Sequence, residues 1–438
     1  MERRKFIQNA SLAGAGSLTI LNFPVFGKNA PSNKVVIAVM GLNSRGAYHV
    51  EKFGGIPGVE VAYLCDVEDG AIRKGLKAAK NGSKTPTVEK DIRKLVTKTD
   101  FDALVVAAPD HWHAPAALLA VSNGKHVYVE KPCSHNPHES ELLIKAQANY
   151  GKIIQVGSQR RSFPTLMEAE KQVRAGLIGN PYMAKGWYTN ARKAIGTGRV
   201  IPVPSTLDFD LWQGPAPRKE YKDNLVHYNW HWFWHWGTGE ACNNGNHELD
   251  CCRWFLGVDF PTKVTSVGGR YAFKDDWETP DTQVASFEFG DQKTMSWEGR
   301  SCNSFPVEGN GRGFIVYGDK GTLVNYGGEE YKVYDMANKL VKEIKSDNKI
   351  DPNNTVSASG NADLYHLYNF VESIRGDAKV TAPIEEGHKS VMLCHLANIS
   401  QRTGQTLHTD PKNGHIIGNK EAEQLWSRGY EKGWEMKL

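Results

Sequence analysis

The sequence lacks the features that would place it in several classes of protein. None of its 7 cysteines forms a CxxC pair, which excludes a zinc ribbon and a small disulfide-stapled scaffold. Like charges are not grouped in blocks, and a net charge of +4 in 438 residues gives no reason to expect a nucleic-acid or anionic-membrane partner. No uninterrupted apolar run reaches the roughly 18 residues of a membrane span. A composition that is 40% apolar and without repeats predicts a soluble globular protein of two or three domains.

The first thirty residues differ in composition from the rest. Arg3 and Arg4 precede a weakly apolar run, ASLAGAGSLTILNFPVF, and residues 3–30 contain no acidic side chain. This stretch resembles a twin-arginine export signal, which predicts that residues 1–30 direct the protein to the periplasm. A cytoplasmic protein with two arginines near its N-terminus is the alternative. The twin-arginine route carries folded proteins, so a cofactor bound in the cytoplasm could be exported with the protein.

From Lys34 onward, short β-branched runs alternate with helix-like segments. The runs are KVVIAVMG, VEVAYLCDV, DALVVAAP, HVYVEKP and KIIQVGSQ. Continuous apolar runs of this kind are typical of buried parallel strands, and the helices between them supply right-handed crossovers. Residues 34–159 are therefore predicted to form a doubly wound α/β domain with a parallel sheet.

The pattern changes after Gln159. Helices are expected in PTLMEAEKQVRAG and NGNHELDCCRWFLG, and residues 263–344 contain strand-like runs separated by turn signals. Strand, tight turn and strand predict an antiparallel sheet. Three more helices are expected near the end, the last in EAEQLWSRGYEKGWEM. Residues 160–438 are assigned to a C-terminal domain that binds the substrate and forms oligomers.

The first predicted strand leads into a glycine-containing turn, Gly41-Leu42-Asn43-Ser44-Arg45-Gly46. Glycines in such a turn let a dinucleotide pyrophosphate approach the backbone, where its charge meets a helix N-terminus. Asn43 replaces the middle glycine, and asparagine tolerates a positive φ angle better than most residues. Asp66 ends the second strand, where a carboxylate would accept hydrogen bonds from the adenosine ribose and repel a 2′-phosphate. The motif predicts NAD as the cofactor in preference to NADP.

Three later motifs carry a family resemblance. They are Pro109-Asp110-x-x-His113, Glu130-Lys131-Pro132, and the histidine His247 in NNGNHELDCCRW. At these residues the sequence resembles the glucose-fructose oxidoreductase, inositol dehydrogenase and MocA family (Gfo/Idh/MocA), over about residues 34–403. The resemblance implies a Rossmann domain followed by an α/β domain with an open, largely antiparallel sheet. It also implies a homo-oligomer, dimer or tetramer, with the catalytic site between the two domains.

The resemblance further implies roles for individual residues. Lys131 would lie beside the nicotinamide and the substrate, His247 would act as general base, and Pro132 would follow a cis peptide bond. A lysine at a strand end can hydrogen-bond the reacting hydroxyl and stabilise its oxygen as the proton leaves. The cofactor-binding residues are predicted to be Gly41, Asn43, Ser44, Arg45, Gly46, Asp66, Pro109, His113, Glu130 and Lys131.

One position departs from the family pattern. Members carry an aspartate four residues before the catalytic histidine, but this chain has Asn243 there. An asparagine can orient a substrate hydroxyl, yet it cannot stabilise an imidazolium as a carboxylate does. Asp250, three residues after His247, is either the missing carboxylate or an ion-pair partner of Arg253. The sequence leaves both alternatives open.

Further candidates for substrate contact are arginines and aromatic residues. Arg160 and Arg161 follow the fifth strand, where relatives approach the substrate, and His113 is counted with them. The segment HYNWHWFWHWGTG alternates tryptophans with other residues, and aromatic rings stack on sugar rings. At least one tryptophan, with Trp236 as the named candidate, is expected to contact substrate unless the run is core. No metal site is expected, because His111 and His113 lack a third ligand nearby.

These observations together predict an exported NAD-dependent oxidoreductase. It would transfer a hydride between the carbinol carbon of a sugar, glycoside or polyol and the nicotinamide. The alternative is a glycosidase of the same superfamily that uses tightly bound NAD. There, oxidation at C3 permits elimination of the glycosidic bond, after which water and hydride are returned. A sugar sensor without turnover is disfavoured by the intact Lys131 and His247.

Overall fold

The computed structural model of the protein describes residues 34–81, 84–346, 360–436 and 438. Its N-terminal part contains a six-stranded sheet. The strands are β1 (Val35–Met40), β2 (Val59–Cys65), β3 (Thr87–Glu89), β4 (Ala103–Val106), β5 (His126–Val129) and β6 (Ile154–Val156). Every pair in the sheet is parallel, and the order is β3-β2-β1-β4-β5-β6. The predicted Rossmann topology is confirmed.

Helices alternate with these strands and cover the sheet. They are α1 (Arg45–Gly54), α2 (Asp69–Ala78), α3 (Ile92–Leu95), α4 (Asp110–Ser122) and α5 (Pro137–Tyr150). Strand β4 is buried at all four residues, as its uninterrupted apolar run predicts. The short edge strand β3 was not predicted, since TVE offers no apolar run and is mostly exposed. The strand order reverses between β1 and β4, and this reversal opens the crevice where ligands bind in such sheets.

A second, nine-stranded sheet is formed by later residues. Its strands are β7 (Pro181–Thr189), β8 (Lys263–Gly269), β9 (Thr282–Phe289), β10 (Lys293–Arg300), β11 (Arg312–Gly318), β12 (Gly321–Asn325), β13 (Tyr331–Asp335), β14 (Leu340–Ile344) and β15 (Leu407–His408). The order is β14-β13-β12-β11-β7-β10-β9-β8-β15. Strands β7 and β10 are parallel and the other pairs antiparallel, so the largely antiparallel sheet is confirmed.

Helices cover one face of this second sheet. The helices of this half are α6 (Pro164–Arg174), α7 (Phe209–Gln213), α8 (Gly239–Asn243), α9 (Gly245–Leu256), α10 (Asp363–Arg375), α11 (Ile384–Thr403) and α12 (Lys420–Glu423). Leu249 and Phe255 of α9 and Leu396 of α11 pack with Phe287 and Trp297 of the sheet in one core. This packing fixes α9, and therefore His247, relative to the strands.

Late parts of the chain return to the Rossmann sheet. Leu367 and Phe370 of α10 share a core cluster with Val39 of β1 and Phe53 of α1. Trp434 packs against the cluster on the other side of that sheet. The boundary at residue 159 remains a prediction, and residues far beyond it contribute to the core of the N-terminal sheet.

The last predicted helix is wrong over most of its length. Helix α12 ends at Glu423, and the residues after it form turns and irregular structure. Gly433 has a φ of 85°, a left-handed conformation that a helix interior does not allow.

Residues 1–30, the predicted export signal, lie outside the described residues. Among the helices that the structure describes, none is long and apolar enough to cross a membrane.

Candidate active site

A long cavity begins at the carboxyl edge of the parallel sheet. Its lining includes Gly41, Asp66 and Lys131, which follow β1, β2 and β5. From there it extends to Asn243 of α8 and His247 of α9. The cavity therefore brings the predicted cofactor motif and the predicted catalytic residues to one site.

The glycine turn is tightly packed. Gly41 has a φ of 83°, and a Cβ atom there would lie 2.5 Å from the Ala108 nitrogen. A Cβ atom on Gly46 would lie 1.6 Å from the Gly41 carbonyl oxygen, so Gly46 supports the turn and does not line the cavity. Asn43 lines the cavity without a positive φ angle, so its expected role as a glycine substitute on conformational grounds is wrong. Asparagine can replace glycine at position 43 because the backbone there is not in the left-handed region.

The start of α1 is suited to an anion. Ser44 is the N-cap residue, yet its side chain makes no capping hydrogen bond, and the first turn of α1 has no acidic residue. The amide groups of this turn are therefore not capped by Ser44 or by an acidic side chain of the turn itself. Backbone donors at a helix N-terminus bind phosphate groups well.

Asp66 presents a carboxylate at the end of β2. One of its oxygens, Oδ2, accepts a hydrogen bond from the Leu42 amide at 2.6 Å, and Oδ1 accepts from Val67 and Glu68 at 2.7 and 3.0 Å. Burial raises the pKa of Asp66, and these backbone donors oppose the rise. The turn, the uncapped helix and this carboxylate together fit NAD, whose pyrophosphate and ribose need these groups.

Glu130, which lines the cavity, is held by Arg45 and His49. Its Oε1 accepts from Arg45 Nε at 2.8 Å and lies 2.8 Å from His49 Nε2. Burial alone would raise the pKa of Glu130, but Arg45 and His49 hold it well below its usual range. Arg45 also donates to Asp363 of α10 at 2.8 Å. Arg45 and Glu130 both line the cavity, and their chief role is to fix the end of β5 that carries Lys131.

Lys131 reaches across the cavity to α8. The Lys131–Pro132 peptide bond is cis. Lys131 Nζ donates to the backbone oxygen of Asn243 at 2.8 Å and to its Oδ1 at 3.1 Å. Asn243 Nδ2 in turn donates to Glu240 Oε1 at 3.3 Å, and Glu240 pairs with Arg192 at 3.0 Å. An asparagine can accept from Lys131 and donate to Glu240 at once, whereas an aspartate would set two carboxylates side by side.

The two predicted catalytic residues have shifted pKa values. Burial lowers the pKa of Lys131, although Glu130 and Asp110 oppose the shift. Burial also lowers the pKa of His247 well below its usual range, and the charges of Lys131, Arg160 and Arg312 lower it further. Among the described residues, no protein group hydrogen-bonds the His247 imidazole. A neutral imidazole is therefore available as a proton acceptor.

His113 links the loop that follows β4 to the loop that follows β5. Its Nδ1 lies 2.6 Å from the Pro132 oxygen and its Nε2 lies 2.7 Å from the Ala108 oxygen. Both ring nitrogens face backbone carbonyls, so His113 positions the Lys131–Pro132 segment and has no free nitrogen for substrate.

Pro109 also lines the cavity, directly before α4. Asp110, which the site prediction missed, accepts from Thr238 Oγ1 at 2.5 Å, and burial raises its pKa to about 6.

Arg161 and Asp250 lie outside the cavity lining. Arg161 Nε donates to both Asp250 oxygens at 2.9 Å, and Ser390 donates to Asp250 at 2.5 Å. Arg253 pairs instead with Glu386. The structure therefore places Asp250 as the buried partner of Arg161, and among the described residues it forms no ion pair with Arg253. Asp250 contacts α11 through the hydroxyl of Ser390 and is not among the residues that line the cavity.

The aromatic segment divides between core and cavity. The structure places Trp236 in the core, with its ring centroid 5.6 Å from that of Trp212, and outside the cavity lining. Trp232 stacks on Trp277 at 3.9 Å in the core. Trp230 does line the cavity, and the ring of His231 stacks on it with 3.6 Å between the ring centroids. Trp212 and Trp230 are the tryptophans of this region that can meet a ligand there.

Several lining residues carry no sequence signal. Tyr188 of β7 and Arg312 of β11 lie opposite each other in the second sheet and also line the cavity. Tyr228 also lines it, and its hydroxyl accepts from Arg192 Nη1 at 2.7 Å. Strand β11 falls within a predicted strand-like run and β7 does not, and neither sequence says which residues of the strand face a ligand. Among the described residues, no group of three or more His, Cys, Asp or Glu side chains is arranged to hold a metal ion.

Comparison with known proteins identifies both halves of the chain. A family model described as the NAD-binding Rossmann fold of an oxidoreductase family, GFO_IDH_MocA, matches residues 35–158. The model of that family's C-terminal alpha/beta domain matches residues 171–409, which is more than half of the chain.

Curated relatives align with part of the chain. An inositol 2-dehydrogenase of Rubrobacter xylanophilus is 30% identical over 183 residues, covering 41% of this chain and 51% of the relative. A glycosyl hydrolase family 109 protein of Shewanella sp. is 28% identical over 205 residues, covering 41% and 44%. The alignments thus span about half the length of these relatives.

Solved structures share the fold. The WlbA dehydrogenase of Bordetella pertussis, solved with NADH and UDP-GlcNAcA, superimposes with a TM-score of 0.63 at 19% identity. The match covers 86% of this chain and 99% of that one. At this identity the likeness establishes the architecture of both sheets.

Proposed function

The chain belongs to the Gfo/Idh/MocA oxidoreductase family, and from this premise we propose that it transfers a hydride between a hydroxyl-bearing carbon of a sugar, glycoside or polyol and NAD. The observation that carries the proposal is the shared cavity. It joins the glycine turn and Asp66 to Lys131, Asn243 and His247. An inositol dehydrogenase among the relatives supports a polyhydroxylated substrate.

The residues of the site divide the work. NAD, when bound, accepts the hydride. Lys131 Nζ, held by Asn243, donates a hydrogen bond to the reacting hydroxyl oxygen and stabilises its developing charge. His247, neutral because its pKa is low, takes the hydroxyl proton. Glu240 fixes the amide of Asn243 so that its oxygen faces the lysine.

A direct experiment is to denature the purified protein and analyse the supernatant by mass spectrometry. NAD or NADH is expected at close to one equivalent per chain, and addition of a suitable polyol should convert NAD to NADH. Protein that carries no nicotinamide nucleotide and binds none on addition would contradict the proposal.

A glycosidase that uses NAD catalytically is the second candidate. Glycosyl hydrolase family 109 proteins occur among the relatives. Expulsion of a leaving group needs a proton donor in addition to the base, and the Tyr228 hydroxyl lies in the same cavity. Burial raises the pKa of Tyr228, which keeps it protonated. Hydrolysis of a glycoside without net NADH formation would favour this candidate, and stoichiometric NADH would favour the dehydrogenase.

We also propose export by the twin-arginine route, supported by Arg3, Arg4 and the apolar run that follows. Replacing both arginines with lysine should retain the protein in the cytoplasm, because the pathway reads the paired arginines. Fractionation of cells that express the two forms measures this. An unchanged distribution would favour the cytoplasmic alternative.

A homo-oligomer is proposed from the second sheet. Residues of β9 alternate between buried and exposed, and Val284 pairs across the exposed face with Val267 of β8. These valines are 47% and 65% exposed, so one face of the sheet offers apolar area to a second copy. Light scattering of the protein and of Val267→Lys should show an oligomer that the substitution weakens.

A further inference from the structure

Two arginines in the cavity share one carboxylate. Arg160 lies in the turn after β6, and Arg312 begins β11; both line the cavity and are at most 5% exposed. Arg160 Nη2 and Arg312 Nε donate to the same oxygen of Glu248, at 2.9 and 3.0 Å. Two positive charges therefore face one negative charge.

Neighbouring carboxylates do not supply the missing charge. Glu240 is paired with Arg192, and Glu130 is paired with Arg45. Arg160 Nη1 is buried without a hydrogen-bond partner among the described residues. Within the part of the chain that the structure describes, Arg312 Nη2 lies 3.0 Å from Glu248 Oε1 but forms no hydrogen bond of good geometry. A buried guanidinium that lacks a full set of partners is costly unless a ligand completes it.

We propose that Arg160 and Arg312 bind an anionic substituent of the substrate, either a carboxylate or a phosphate. The inference rests on the proposed function, because it names the class of sugar or polyol that the site accepts. A guanidinium matches both anions through paired N–H donors, and the pair of arginines keeps a net positive charge after the single charge of Glu248 is counted.

The position of the anion relative to the reaction supports this assignment. Arg160 and Arg312 are among the cations that hold the pKa of His247 low, together with Lys131, while Glu130 opposes them. An anion bound between the arginines would offset their charges. The base would then be strongest when the acidic substrate is in place.

The first test uses anions without a sugar ring. NAD-loaded protein is titrated with sodium acetate or inorganic phosphate at constant ionic strength, with sodium chloride as the reference, and the melting temperature is followed. A saturable rise with acetate identifies a carboxylate site, and one with phosphate identifies a phosphate site. In Arg312→Gln the apparent affinity should fall roughly tenfold or more, because a charged hydrogen-bonding partner is lost.

Two variants separate recognition from damage to the fold. Glu248→Gln removes the shared negative charge and keeps an amide oxygen as acceptor, so anion affinity should rise. Arg174→Gln removes an arginine that pairs with Glu170 at the surface, and it should change nothing. Lowered affinity in Glu248→Gln, or no saturable response in the original protein, would overturn the inference.

The second test compares D-glucose, D-glucuronate and D-glucose 6-phosphate, which differ only at C6. The inference is supported if D-glucuronate or D-glucose 6-phosphate reduces bound NAD with a kcat/KM roughly tenfold or more above that of D-glucose. Preference for the neutral sugar overturns it while leaving the proposed oxidoreductase intact. Saturable anion binding with no NAD reduction by any polyol would instead count against the proposed function and keep the anion site.

Discussion

The two ends of the cavity differ in the groups that line them: backbone groups predominate at the cofactor end and side chains at the substrate end. At the cofactor end the groups come from strand ends within about the first hundred described residues, and many of them are backbone amides and a tight glycine turn. At the substrate end, side chains from α8, α9, β7 and β11 meet, joined by hydrogen bonds among Lys131, Asn243 and Glu240. Main-chain geometry recognises the part of a ligand that is constant, whereas side chains adjust to the part that varies. Substitutions at the two ends should therefore have separable effects on cofactor content and on turnover.

The largest effect is expected at the junction of the two ends. Lys131→Met and His247→Ala should each lower turnover by roughly 10²-fold or more, the usual contribution of a positioned acid or base. NAD content should stay normal, since neither residue holds the pyrophosphate or ribose. The double variant should lose far less than the product of the two single losses, because both residues act on one proton transfer. Multiplicative losses, or loss of NAD, would assign the pair a structural role.

At the cofactor end, Asp66→Ala should reduce the preference for NAD over NADP. The substitution removes charge-assisted hydrogen bonds to the ribose and the repulsion of a 2′-phosphate, which corresponds to roughly 10- to 100-fold in relative affinity. Calorimetry with both nucleotides measures the ratio. The rate of hydride transfer at saturating NAD should stay close to that of the original protein. Equal or better NADP binding by the unmodified protein would refute the assignment of Asp66.

At the substrate end, the tryptophans offer a matched pair. Trp230→Ala should raise KM about three- to tenfold, since stacking of an aromatic ring contributes about 0.5–1.5 kcal/mol. Trp236→Phe should leave KM nearly unchanged, because its ring packs against Trp212 away from the cavity lining. Melting temperatures of both variants provide the control for folding. The reverse pattern would return Trp236 to the substrate site.

The smallest expected effect concerns pH. His247 has a lowered pKa, so its neutral form persists below the ordinary range and kcat/KM should fall only on the acid side of pH 6.5. Asn243→Asp adds a negative charge that favours the imidazolium, which moves this acidic limb to higher pH. Asp110, with a pKa of about 6, titrates nearby, so Asp110→Asn serves as the control. An unmoved limb in Asn243→Asp would show that residue 243 does not act on His247.

Local patterns predicted the cofactor end well. The five strands of the parallel sheet other than β3 lie within the runs rich in β-branched residues that predicted them, and the turn after β1 carries its glycines in the sequence itself. The reason for tolerating Asn43 was wrong, because a close approach between backbones, at Gly41 and Gly46, governs the turn and position 43 needs no unusual φ angle. The final predicted helix failed because its apolar residues pack separately onto other elements.

The sequence by itself determined the alternation of strands and helices, the glycine turn, Asp66 and the motif that carries Lys131, because each depends on neighbours along the chain. Only the tertiary structure decided which of two adjacent arginines enters the cavity. Arg160 lines it, whereas Arg161 is bound to Asp250. Tertiary packing also decided that Asn243 accepts a hydrogen bond from Lys131 and that Arg312 joins Arg160 at Glu248. These choices depend on how α9 packs against the second sheet, and contacts between residues so far apart in the chain leave no local pattern.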